Sequence, residues 1–136
     1  MHIMLATHGG FAEGIFNSYQ MIAGTNPQIQ TASLTDEGIE PFVKTFKAKL
    51  DSLVDEEVLV MTDLKGGTPY NEAYNYYLKH PDKMRVVAGL NLPMLIETGL
   101  AIGNSSLNEL YELALTAGKA GVDGPTEDND EDDIEF

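Results

Sequence analysis

Four short apolar runs, at residues 3–7, 28–33, 58–62 and 85–88, alternate along the chain with stretches in which apolar residues recur every three or four positions. No other feature constrains the fold as strongly. The runs are consecutive more than alternating, which suits strands covered on both faces and therefore a parallel sheet. The intervening stretches read as amphipathic helices. Phe11, Ile15, Tyr19 and Ile22 form one stripe, closed by Gly24; Ile39, Phe42, Val43, Phe46, Leu50 and Leu53 form a second. Tyr70, Ala73, Tyr74, Tyr77 and Leu78 form a third, expected to be capped by Thr68 with Pro69 in the first turn, and its tyrosines are expected in the core. Ser106 and Glu109 have capping-box spacing ahead of Leu110, Tyr111, Ala114 and Leu115, with Gly118 expected to close that helix. Strand and helix alternate four times, so the expected fold is a doubly wound α/β sandwich with a mostly parallel four-stranded sheet, of order 2-1-3-4, and helices on both faces.

At 136 residues, with 43% hydrophobic side chains, the chain suits one domain whose core needs neither disulfides nor metal. That domain is expected over residues 1–120, and residues 121–136 read as an acidic, disordered tail. Eight of the 22 acidic side chains and none of the eight basic ones lie at Asp123 or later, so most of the net charge of −14 belongs to the tail. A chain this acidic, with no basic cluster, is a poor ligand for nucleic acid or an anionic membrane. It has no cysteine, no signal-peptide pattern and no apolar run long enough to insert in a membrane, which together point to a cytoplasmic protein.

In open parallel sheets ligands bind beyond the carboxyl ends of the strands, near the point where strand order reverses. The loops expected there carry Thr7-His8-Gly9-Gly10, Asp63-Leu64-Lys65-Gly66-Gly67-Thr68-Pro69 and Gly89-Leu90-Asn91-Leu92-Pro93. If strands one and three are neighbours, His8 faces Asp63. A carboxylate that accepts a hydrogen bond from one imidazole nitrogen leaves the lone pair of the other free to attack. Gly66 and Gly67 let the backbone approach a bound group, and Thr68 and Pro69 open a helix whose first amides point at the same place, which makes an anion site. Taken singly, His8 could be structural, Asp63 a loop cap and the glycine pair a plain turn; His2 and His80 read as structural. Convergence of all three elements on one edge favours phosphoryl transfer. Nucleotide motifs are absent: Gly9, Gly10 and Gly14 do not form G-x-G-x-x-G, and no P-loop occurs.

The blocks Ile3-Met4-Leu5-Ala6-Thr7-His8-Gly9-Gly10, Met61-Thr62-Asp63-Leu64-Lys65-Gly66-Gly67-Thr68-Pro69-Tyr70-Asn71 and Gly89-Leu90-Asn91-Leu92-Pro93-Met94-Leu95 resemble the IIA domain of the mannose class of the bacterial phosphoenolpyruvate-dependent sugar phosphotransferase system, over residues 1–118. The resemblance implies that His8 takes a phosphoryl group from phospho-HPr and gives it to a histidine of a IIB component, which phosphorylates sugar during uptake. It implies that Asp63 orients the imidazole, that Gly66, Gly67 and Thr68 hold the phosphate, and that the chain is a homodimer associating with membrane IIC and IID components. Positioning and local charge should carry such a transfer with neither metal nor other cofactor. Two features depart from the family. Lys65 stands where an aromatic or apolar residue is common, and the tail lacks the strand character of the segment that some relatives exchange between subunits. IIB is expected as a separate polypeptide. The competing readings are a regulatory phosphohistidine module and a flavodoxin-like protein that binds an anion without covalent chemistry.

Overall fold

The computed structural model describes residues 1–126, so residues 127–136 of the expected tail lie outside the described residues. The elements follow in the order β1 (His2–His8), α1 (Phe11–Ala23), β2 (Ile29–Leu34), α2 (Ile39–Asp51), β3 (Val58–Thr62), α3 (Thr68–Lys79), β4 (Met84–Ala88), α4 (Leu92–Ala101) and α5 (Leu107–Ala120). All strand pairs are parallel, in the order β2-β1-β3-β4, as the alternation predicts. Burial separates the strands as that order requires. The five residues of β3 and residues 3–7 of β1 are buried, whereas the edge strands β2 and β4 are buried at only two positions each.

Two cores flank the sheet. Ile3, Leu5, Leu59 and Met61 meet α1, α4 and α5 on one face; Met4, Ala6, Val58 and Val60 meet α2 and α3 on the other. Successive side chains of a strand point to opposite faces, so a run of consecutive apolar residues feeds both cores at once. Truncating a fully buried leucine such as Leu5 or Leu59 is expected to cost about 2–5 kcal/mol.

The helices correct the sequence reading in four places. A fifth helix, α4, starts inside what reads as the loop after β4. It is capped by Asn91, whose side chain accepts a hydrogen bond from the Met94 amide at 3.0 Å. Met94, Leu95, Ile96, Thr98 and Gly99 are all buried, so α4 lies between its neighbours with no wide polar face and no amphipathic stripe to announce it. Thr68 is the first residue of α3 and not its cap; that position belongs to Gly67. Gly118 lies inside α5, which runs on to Ala120. A methyl there would sit 2.6 Å from Met94 Cε, so this glycine permits close packing of α4 on α5. Tyr74, expected in the core, is 44% exposed, with Tyr70 stacked beside it. The capping box at Ser106 and Glu109 is present as the spacing predicts.

Candidate functional site

β1 outruns β3 at the carboxyl edge. The pairing of the two ends at Ala6 opposite Thr62, and beyond it the Asp63 side chain takes the role of the next backbone carbonyl. Its Oδ2 accepts the His8 backbone N–H at 3.0 Å and pairs with the ring Nδ1 at 2.8 Å, while Oδ1 accepts the Leu64 amide at 3.0 Å. Burial alone would raise the carboxyl pKa. The His8 backbone and ring donors, the ring charge and the Leu64 amide outweigh it, and the net shift is downward. An ionised carboxylate only accepts hydrogen bonds, so Nδ1 carries the proton and Nε2 of the neutral ring presents a lone pair.

That second nitrogen faces a glycine turn. A methyl at Gly67 would lie 2.9 Å from His8 Cε1 and 3.6 Å from Nε2, so the backbone comes as close to the ring as a missing side chain allows. Gly66 is glycine for another reason. Its φ of 86° lies in the left-handed region, and the Gly67 amide donates to the Leu64 carbonyl at 3.1 Å to close the turn. Asn71, one turn into α3, donates from Nδ2 to the Gly66 carbonyl at 3.1 Å and ties the turn to the helix. The Thr68 and Tyr70 amides are first-turn donors without helical partners, and Pro69 has none to offer. The His8 side chain is 44% exposed and that of Asp63 14%, so the ring is reachable and its orienting group is sheltered.

His8, Asp63, Gly66 and Gly67 thus come together at the point where strand order reverses. Thr68 stands at the start of α3 beside them, and its hydroxyl makes no hydrogen bond among the described residues. Two supporting side chains escaped the sequence reading. Thr7, fully buried, accepts the Ala12 amide at 2.8 Å and satisfies the first turn of α1, which Gly10 has no side chain to cap. Asn71 was legible only as part of a longer motif. A polar residue at the end of a buried strand is the signal that could have marked Thr7.

The class follows from the geometry: a doubly wound parallel α/β domain with a carboxylate-oriented histidine facing a helix amino terminus across the topological switch point. Comparison with known proteins gives the family. The family model described as the PTS system fructose IIA component matches residues 2–115. The mannose-specific EIIAB component of Escherichia coli (strain K12) is 32% identical over 123 residues, which are 88% of this chain and 38% of that protein, so the chain spans well under half of that relative. The sorbose-specific EIIA component of Lacticaseibacillus casei is 32% identical over 111 residues, covering 81% of this chain and 80% of that one. Among solved structures, the mannose/sorbose-specific IIA subunit from Enterococcus faecalis superposes with a TM-score of 0.84 at 34% identity, covering 92% of this chain and 94% of its own. The chain belongs to the mannose-class IIA family of the sugar phosphotransferase system. Among the described residues no helix is long and apolar enough to cross a membrane.

Proposed function

We propose that this protein is a phosphoryl carrier in which His8 Nε2 accepts a phosphoryl group from phospho-HPr and passes it to a histidine of a IIB component during sugar uptake. The observation that carries this reading is the 2.8 Å contact between His8 Nδ1 and Asp63 Oδ2, with Nε2 left beside the Gly67 turn. In the forward step the lone pair of Nε2 forms a bond to phosphorus as the donor's phosphorus–nitrogen bond breaks, and the bonding pair stays with the donor nitrogen. Asp63 holds the tautomer and stabilises the positive character the ring gains. The Gly66-Gly67 turn and Thr68 hold the equatorial oxygens, Gly66 and Thr68 through backbone amides and the Thr68 hydroxyl, while Gly67, whose own amide closes the turn, lets the backbone come close. Preorganised donors cost no rearrangement at the moment of transfer.

The working unit of this proposal is residues 1–120, acting in the cytoplasm as a homodimer alongside membrane IIC and IID components; sedimentation of the purified chain tests the dimer. The carrier role itself is tested by incubating the protein with phosphoenolpyruvate, enzyme I and HPr and mapping the phosphate. Acid-labile label on His8 that moves to an added IIB component is the expected result. Label on any other residue, or none, would sink the proposal.

A further inference from the structure

The loops that frame His8 are residues 9–10, 35–38, 63–67 and 89–91. Their charges are unbalanced. Asp36, Glu37 and Asp63 are acidic, and Lys65 is the single base. Glu13, in the first turn of α1, joins Asp36 in the groove on the β2 side of His8. The oxygens of a phosphoryl group on Nε2 would carry a charge of about −1.5 to −2 into this field, offset only in part by the positive character the ring gains. The amino terminus of α3 supplies only about half a positive charge against it. A cation nearby would offset that charge, and the loops offer one.

Lys65 lies in the turn that packs against the His8 ring. Residues 64–67 form a β-turn closed from the Gly67 amide to the Leu64 carbonyl, and Gly66, with φ of 86°, occupies the third position as a type II turn requires. Lys65 is the second residue of that turn, two positions from the glycine packed against the His8 ring. The ends of a β-turn lie within about 7 Å, and four carbons and a nitrogen at about 1.5 Å per bond give the side chain a reach of about 6 Å. Lys65 is exposed, and among the described residues no ion pair or hydrogen bond engages its ammonium. We infer that Lys65 is a phosphate-contacting residue, whose ammonium meets the oxygens of a phosphoryl group on His8 and offsets the acidic loops around it. It neither gives nor takes a proton; its role is charge stabilisation of the phosphorylated ring and of the group in transit.

This inference rests on the carrier reading, and the test separates the two. Wild-type protein is first labelled with phosphoenolpyruvate, enzyme I and HPr; absence of label on His8 removes the carrier reading. With label established, Lys65→Met, Lys65→Glu and Lys65→Arg are compared for the phosphotransfer equilibrium with HPr and for hydrolysis of the isolated phosphoprotein, at low and high salt. Lys65→Met should shift the equilibrium away from phospho-His8 by about five- to tenfold at low salt, and Lys65→Glu by more. Lys65→Arg should restore it to within about twofold, and the differences should shrink as salt approaches ~1 M. A wild-type equilibrium in Lys65→Met, with only slower association, would assign the residue to partner docking and overturn the inference. So would a deficit that neither arginine nor salt alters.

Discussion

The two edges of the sheet hold nearly the same pair of groups with opposite exposure. At the amino edge His2 Nε2 lies 2.9 Å from Glu56 Oε2, with the imidazole 18% and the carboxylate 49% exposed. At the carboxyl edge the distance is 2.8 Å and the order reverses, the imidazole of His8 being 44% and the carboxylate of Asp63 14% exposed. The second nitrogen of His2, Nδ1, is buried and makes no hydrogen bond among the described residues, so nothing can reach it. The second nitrogen of His8 lies against a glycine turn at a helix amino terminus. A histidine–carboxylate pair is therefore not a site in itself. It becomes one where the carboxylate is the sheltered partner and the free ring nitrogen faces donors for an anion.

The sharpest way to break this comparison is to remove each ring. His8→Ala should abolish phosphorylation, and His2→Ala should label at the wild-type level while losing some stability; equal labelling of the two variants would end the distinction between the edges. Removing the sheltered charge comes next. Asp63→Asn keeps the shape but lets Nδ1 lose its fixed acceptor, so single-turnover transfer should slow by about 10²–10⁴. The same variant should change acid stability. The folded Asp63 carboxyl is held below its ordinary range, so its contribution is fully present above the unfolded value of about 4 and is lost as pH falls further. Denaturant midpoints measured from pH 6 down to pH 2 should therefore fall less steeply in Asp63→Asn than in the wild type.

Gly67→Ala tests the close approach. Its φ of −73° and ψ of 167° suit any residue, so alanine costs little conformationally, but its methyl must push the His8 ring or the turn aside. Transfer should fall by about 10–100-fold with a nearly normal melting temperature. Gly66→Ala should show the other balance, losing about 1–2 kcal/mol because its φ is positive. If both variants lose stability equally, the two glycines do not play separate parts. The smallest effect belongs to the amino edge. Tyr76, whose hydroxyl donates to Asp51 at 2.9 Å, has its pKa pushed up to about 12 by burial and by that acceptor. Its contribution is present below about pH 10 and lost between pH 10 and 12. Tyr76→Phe should flatten the alkaline limb of stability by a modest amount and leave phosphoryl transfer untouched.

Much of this was legible in the residues alone, because it depends on local periodicity. Consecutive apolar runs marked all four strands to within about two residues, and the stripes of α1, α2 and α3 and the capping box of α5 stood out as they do in any amphipathic helix. Gly24, ending α1 with φ of 82°, was equally plain. What escaped was settled by neighbours distant in sequence. The helix α4 is apolar on nearly every side because α1 and α5 cover it, so it has no stripe to read. Gly118 looks like a stop until Met94 is seen against it. The tyrosines of α3 fit a helical stripe, yet Tyr74 faces out because α2 and the sheet take the other side.

The site divides in the same way. Residue types, glycine spacing and the order of elements were enough to nominate His8, Asp63, Gly66, Gly67 and Thr68, since chemistry and chain order are properties of the sequence. Only the tertiary structure decided which histidine is open and which is closed. His2 and His8 sit on one strand, six residues apart, each with a carboxylate beside it. Their difference lies in what the rest of the chain brings to each end of that strand, and exposure is a property of the packed whole.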